Sequence, residues 1–327
     1  MAKYRNNLPQ LNGDLFTTSS GLETTLVYHE HIDLPCFASF TILKDESGQR
    51  WLKDFSRRFI DIAQQYHLGI VLQSPTWRCS PHWIEQLHYS HDDMVHFNKL
   101  SIELLEQLRN EYSSSQYPIV ISAAVGPRND AYINSEHQMT PDQAQQYHSK
   151  QIEILSQTNV DLISAFTLNS INEAIGIVRA AQQFQLPVAI SFTVETDGNL
   201  ITGQSLKEAI ETVDQQTNQA PVYYLINCSH PIHILKMFEN QQTKGEWVKR
   251  IRGVHGNASK KSHQELDNST ELDDGNPQEF AQDIEQLLYQ FPNLNILGGC
   301  CGTDVRHARQ ICQHCQPIFN QIKNEKL

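Results

Sequence analysis

The chain has 327 residues, 39% hydrophobic and 19% charged, a composition that suits a folded protein with a sizeable core and excludes a disordered one. Lys plus Arg is 25 against 37 Asp plus Glu, and the resulting formal charge of −12 argues against nucleic acid or an anionic membrane as the main partner while mildly favouring a cationic small molecule. No apolar run approaches the roughly 20 residues of a membrane helix, Met1 to Leu15 lacks the apolar stretch of a signal peptide, and an odd set of seven cysteines, two of them adjacent, suits free or metal-binding thiols in a cytoplasmic protein better than disulfides.

Short apolar, β-branched runs alternate along the chain with longer stretches of helical period. A strand is expected at Leu15 to Thr18 and a helix over Gln49 to Tyr66, then a strand at Gly69 to Gln73 and a helix over His91 to Tyr112, then a strand at Ile119 to Val125 and a helix over Pro141 to Gln157. The order repeats with Val160 to Phe166 and Ile171 to Gln183, Val188 to Val194 and Ser205 to Gln216, Val222 to Asn227 and His230 to Asn240, Ile251 to His255 and Pro277 to Gln290, and a last strand at Leu294 to Leu297. Thr140-Pro141 and Asn276-Pro277 each set an N-cap residue before a proline at the first helical position, where the missing N–H is harmless. Eight strands separated by seven helices, with no Gly-, Pro- or Ser-rich linker to divide them, predict an α/β fold, a single-domain (β/α)₈ TIM barrel over residues 1–327, with a doubly wound open sheet as the alternative.

In a barrel of this kind the reacting groups stand at the C-terminal ends of the strands. Those ends carry Gly21, Glu23, Thr76, Trp77, Glu195 and Asn227, with Cys228 after strand six and Cys300 and Cys301 after strand eight. Strands of equal parity contribute to common layers, so the three thiolates can converge; an all-sulfur set suits zinc and leaves its fourth position for water or another thiolate. The flanking Gly298, Gly299 and Gly302 are expected to give the backbone the freedom to turn two adjacent sulfurs to one ion. The competing reading takes a strand-end cysteine as a small buried hydrophobe.

Ile226-Asn227-Cys228, followed much later by Gly298-Gly299-Cys300-Cys301-Gly302-Thr303, resembles the homocysteine S-methyltransferase family, which includes the betaine-dependent enzyme and the homocysteine module of cobalamin-dependent methionine synthase. The resemblance runs nearly end to end, through Gly21-Leu22-Glu23-Thr24-Thr25-Leu26, Val125-Gly126-Pro127 and Ser191-Phe192-Thr193. It implies a (β/α)₈ barrel, a catalytic zinc on Cys228, Cys300 and Cys301, and a methyltransferase that moves a methyl group from an onium donor to homocysteine, forming methionine. The chain stops soon after Cys301, so the expected partners are two small molecules, the thiol and a free donor: S-methylmethionine or S-adenosylmethionine, in preference to betaine, whose enzymes oligomerise through a C-terminal extension. Nothing in the sequence sets the oligomeric state.

Two positions depart from the family pattern. Ser19-Ser20-Gly21 stands where the family has Asp-Gly-Gly, and Phe166 where a strand-four acid would pair with the substrate ammonium. Glu23 and Glu195 are the acids best placed to substitute, each with a plainer reading as a helix cap or a solvated strand-end group. If neither serves, the acceptor is a different small thiol, or the barrel is a non-catalytic zinc or thiol binder. Phe37, Phe40, Trp77 and Trp83 are candidate faces for a methylated cation, each with the plainer reading, preferred for any one of them, of an ordinary packing group, and Thr76 and Asn227 are candidate hydrogen-bonding groups that orient substrate. A zinc hydrolase is disfavoured, because three thiolates leave the metal electron-rich and a poor activator of water. Cys312-Gln313-His314-Cys315 reads as part of a helix, and His82, His88, His91 and His96 lack the i, i+4 spacing of a zinc pair. The acidic stretch Ser262 to Asn276 reads as a loop, and as a lid, after strand seven.

Overall fold

A computed structural model describes residues 2–112, 116–132, 138–239, 245–267 and 269–325. Eight parallel strands follow one another around a closed barrel: β1 Phe16–Thr18, β2 Gly69–Gln73, β3 Ile119–Val125, β4 Leu162–Leu168, β5 Val188–Phe192, β6 Tyr223–Asn227, β7 Ile251–Gly256 and β8 Ile296–Gly299. The barrel closes through Phe16↔Ile296 and Thr17↔Leu297. Because helices cover its outside, β3 and β4 are buried at every residue, which is why such strands read as continuous apolar runs.

The expected helices form as Glu46–Gln65, His91–Glu111, Pro141–Ser156, Ile171–Gln183, Leu206–Thr217, Pro231–Glu239 and Pro277–Gln290; Asn240, at the expected end of the sixth, lies outside the described residues. Their starts are fixed by side chains. Ser90 with Asp93, and Thr140 with Gln143, form reciprocal capping boxes, and Asn276 accepts from the amides of Gln278 and Glu279; each such cap stabilises by about 1 kcal/mol. Short helices form where none was expected at Pro81–Gln86 and at His263–Asp267, the latter within the stretch read as a loop after strand seven. The helix in which the CxxC was read is Val305–Glu325; it carries Cys312 and Cys315 at 1% and 0% exposure into the core, so this CxxC is packing, and burial pushes the Cys312 thiol up to about 12.

Several strand ends differ from expectation, three of them in ways that bear on the site. β4 runs to Leu168 and shifts register against β5 between Ala165 and Leu168, with Thr167 at φ 61. β5 stops two residues early, at Phe192, and β8 includes Gly298 and Gly299, so the Cys300-Cys301 pair follows the strand directly. Phe16, Val71, Val120, Leu162, Tyr223 and Ile296 fill the base of the barrel, and Leu8 of the N-terminal segment packs over them. The base is therefore plugged, and a cavity opens at the other end.

Candidate functional site

The three strand-end cysteines converge. The Sγ atoms of Cys228, Cys300 and Cys301 all lie within 4.8 Å of one another, and Cys228 and Cys301 are 3.6 Å apart. β7 sets this spacing: the Cys228 amide donates to the His255 carbonyl at 2.9 Å, and the Cys300 amide to the adjacent Gly256 carbonyl at 2.7 Å. Cys228 turns out of β6 at φ 56, a left-handed conformation that a non-glycine residue holds only when its surroundings fix it.

The glycines beside the Cys pair serve a purpose other than the one expected. A Cβ on Gly298 would lie 1.9 Å from Thr18 Oγ1, and one on Gly299 2.1 Å from Thr303 Oγ1, so both are small because neighbours press on them; only Gly302, at φ 75, needs glycine's backbone freedom. A tetrahedral ion with metal–sulfur bonds of about 2.3 Å requires sulfurs about 3.8 Å apart. The cluster has that scale, and its donors are all soft thiols, so the three residues fit a thiophilic metal.

The charges around the sulfurs favour ionisation at Cys228. Hydrogen bonds from the Cys300 and Cys301 thiols, together with His263, hold it well below the usual thiol range, while sharing those bonds raises Cys300 and Cys301. His263 Nε2 lies 2.7 Å from the Cys228 carbonyl and Nδ1 lies 3.0 Å from Glu195 Oε1. Two acceptors require a donor at each ring nitrogen; burial opposes the charge, but the bonds to Cys228 and Glu195 outweigh it and lift the imidazole to about 10. Asn257 Nδ2 donates to Cys228 Sγ at 3.7 Å. Burial, then the neighbouring cysteines, keep the Tyr132 phenol protonated.

A cavity of about 460 Å³ opens over the sulfurs. Gly21, Glu23, Trp77 and Asn227 line it with the three cysteines; Thr76 and Glu195 do not. Thr76 is fully buried and donates to the Ala124 carbonyl, and Glu195 is taken up by His263. Asn227 is a structural node as well as a lining residue: its Oδ1 accepts from the Thr167 amide and Ser191 Oγ, and its Nδ2 donates to Thr167 Oγ1 and approaches Cys300 Sγ at 4.0 Å. Glu23 Oε1 accepts from Ser39 at 2.7 Å, and burial, opposed by that bond, raises its carboxyl.

Of the expected aromatic faces, Phe37 and Trp77 line the cavity. Phe40 is buried elsewhere against Tyr89 and Phe97, and Trp83 is buried with Nε1 donating to the Pro127 carbonyl. The Phe166 ring lies 5.2 Å from that of His255, tilted by 31°, and burial lowers that imidazole to about 4, so a neutral aromatic pair occupies the position where the family pattern has an acid. The stretch after β7 does reach the cavity, through His263, Leu266, Ser269, Glu271, Leu272 and Asp273. Tyr132, Asn257 and His263 were missed by the sequence reading: Asn257 sits at a recognised strand end, but nothing in the spacing of the other two marks them.

The homocysteine S-methyltransferase family model matches residues 18–315. A relative in Arabidopsis thaliana, homocysteine S-methyltransferase 2, is 24% identical over 267 residues, covering 74% of this chain and 77% of its own length. Among solved structures, the homocysteine methyltransferase MmuM from Escherichia coli in its metallated form superposes with a TM-score of 0.69 at 16% identity, over 94% of this chain and 100% of that one. Its oxidized form gives 0.69 at 15%, over 92% and 98%. At these identities the structural likeness speaks for the barrel alone.

Proposed function

Because the chain belongs to the homocysteine S-methyltransferase family, we propose that it transfers a methyl group from a sulfonium donor, S-methylmethionine or S-adenosylmethionine, to homocysteine, with zinc on Cys228, Cys300 and Cys301 and methionine as the product. The observation that carries this reading is the convergence of the three sulfurs within 4.8 Å in the wall of the cavity. Zinc bound there would supply the acceptor as a thiolate, with no general base required. The acceptor sulfur then bonds to the methyl carbon as the donor's carbon–sulfur bond breaks, and the departing thioether keeps the electron pair. Opposite charges vanish along this path, so the aromatic walls of the cavity, Phe37, Trp77 and Phe166, favour the transition state wherever they exclude water from it.

The cavity's charge supports a cationic donor. Glu23, Asp130, Glu271 and Asp273 line it against Arg78 and His263, and the aromatic faces suit a methylated cation. With Phe166 in place of an acid, the acceptor's ammonium falls to Glu23, which lines the cavity and has no ion-pair partner among the described residues; Glu195 instead orients His263 behind Cys228. No helix among the described residues is long and apolar enough to cross a membrane, and a reducing cytoplasmic setting would keep the thiols available.

The test is methionine formation from homocysteine with each sulfonium donor, run on the parent and on Glu23→Gln. The parent is expected to form methionine, and the variant to keep its zinc while the KM for homocysteine rises about 10- to 100-fold, the worth of one charge-assisted hydrogen bond. An unchanged KM would remove Glu23 from the site. No methionine from either donor, with zinc bound, would refute the assigned substrates.

A further inference from the structure

Arg78 is a guanidinium on the cavity wall that the methyl-transfer scheme leaves unused. It sits in the loop after β2 with its side chain 9% exposed, held 3.9 Å from the Trp83 ring centroid and 4.7 Å from that of Trp77. From there it reaches two other loops. One terminal nitrogen donates to the Cys36 carbonyl at 2.5 Å, in the loop after β1, and the other to Asp130 Oδ2 at 3.3 Å, in the loop after β3.

Both grips fall on backbone that shapes the cavity. Cys36 and the lining residue Phe37 stand at φ 55 and 57, consecutive left-handed residues that persist only under outside restraint. Asp130 Oδ1 in turn accepts the Tyr132 amide at 2.9 Å, and the Tyr132 ring lies 4.3 Å from that of His263, the residue that holds the Cys228 carbonyl. A planar fork can direct donors to two separate loops while its face stacks on indoles; an ammonium is a compact point charge with no such face and a shorter span between its donors. Nε is buried without a partner, a cost that simple space-filling between two tryptophans would avoid.

We propose that Arg78 is a positioning residue for the methyl donor: by tying the loops after β1 and β3 to its own, it holds Phe37, Trp77 and Tyr132 as the wall that receives the donor. Its kinetic consequence rests on the methyl-transfer reading above; its structural consequence does not, and the test separates the two.

Hydrogen exchange would be followed in the metal-loaded parent, Arg78→Met and Arg78→Lys, alongside steady-state kinetics. In Arg78→Met the amides of Phe37 and Tyr132 are expected to exchange about tenfold faster or more, while those of β6 and β8 stay unchanged. Donor KM is expected to rise about tenfold with homocysteine KM within about twofold, and Arg78→Lys, keeping one grip, to fall between. Exchange unchanged at either loop would overturn the proposal, as would a parallel loss in both substrates with a lowered Tm, which would mark a general packing role. If the parent transfers no methyl group, the functional reading fails while the exchange data still decide for or against Arg78. Should Arg78→Met not fold, Asp130→Asn keeps an oxygen for the Tyr132 amide while removing the charge that Arg78 grips, and is expected to speed exchange at Tyr132 and not at Phe37; the same rates at both, or no change at Tyr132, would count against the proposal.

Discussion

Replacing Cys301 by alanine is expected to strip the protein of its proposed zinc and to slow methyl transfer by about 10³-fold or more at neutral pH. Two sulfurs, Cys228 and Cys300, would remain, too few to hold the ion in the closed three-point geometry the cluster offers. Without it, a free thiol of pKa about 8.5 is only about 3% thiolate at pH 7, which costs roughly 30-fold. The rest is positioning, since the acceptor sulfur is no longer held in line with the methyl carbon. Cys301 is half-buried at a strand end, so the fold should survive the change. Cys312→Ala is the control, a cysteine in the core that should keep one zinc per chain and its turnover. Metal analysis and initial rates on the two variants check this; full zinc and turnover in Cys301→Ala would contradict it.

Asp161→Ala is expected to cost about 3 to 5 kcal/mol of stability, the toll of leaving a buried charge unpaired, while leaving kcat and KM of the folded fraction alone. Asp161 lies just before β4, at the end of the barrel opposite the cysteines, and its side chain is completely buried. Its Oδ2 accepts from Arg109 at 2.6 Å and from the Ile121 amide at 2.8 Å, and its Oδ1 from the Tyr4 amide at 2.8 Å. Alanine would strand the Arg109 guanidinium, 5% exposed, and untie the N-terminal segment, whose Arg5 donates to the carbonyls of Thr158 and Val160. A double-mutant cycle with Arg109→Met should show strong coupling, the pair costing less to remove together than the two separately. Thermal melts of the four proteins decide it; additive losses would show that the ion pair does not carry the effect.

The barrel was legible because parallel strands buried on both faces leave short apolar runs, and because helix starts such as Thr140-Pro141 and Asn276-Pro277 carry their own caps. Strand ends were less so. Nothing in the sequence around Phe166 announces that β4 continues through a left-handed Thr167, because that conformation is held from outside, by Asn227 on β6. The three cysteines could be found from their strand-end positions and glycine flanks, although the reason for Gly298 and Gly299 is the pressure of Thr18 and Thr303 against them.

Glu23 and Glu195 looked alike in the sequence, each an acid just past a strand. What separates them is tertiary: Glu23 faces the cavity from the turn after Gly21, whereas Glu195 meets His263 from a loop 68 residues further on. Tyr132, His263 and Arg78 act across loops that have no periodicity to read. The Tyr4 and Arg5 contacts at the base depend on partners more than 150 positions away, a distance at which local pattern carries no information.

The most direct test of the account is zinc X-ray absorption on the purified protein before and after homocysteine is added, with metal content measured on the same sample. One zinc per chain with three sulfur neighbours and one lighter ligand, changing to four sulfurs when homocysteine binds, is the predicted result for a site built by Cys228, Cys300 and Cys301. Fewer than three sulfurs at the start, or a coordination sphere that homocysteine leaves unchanged, would contradict it.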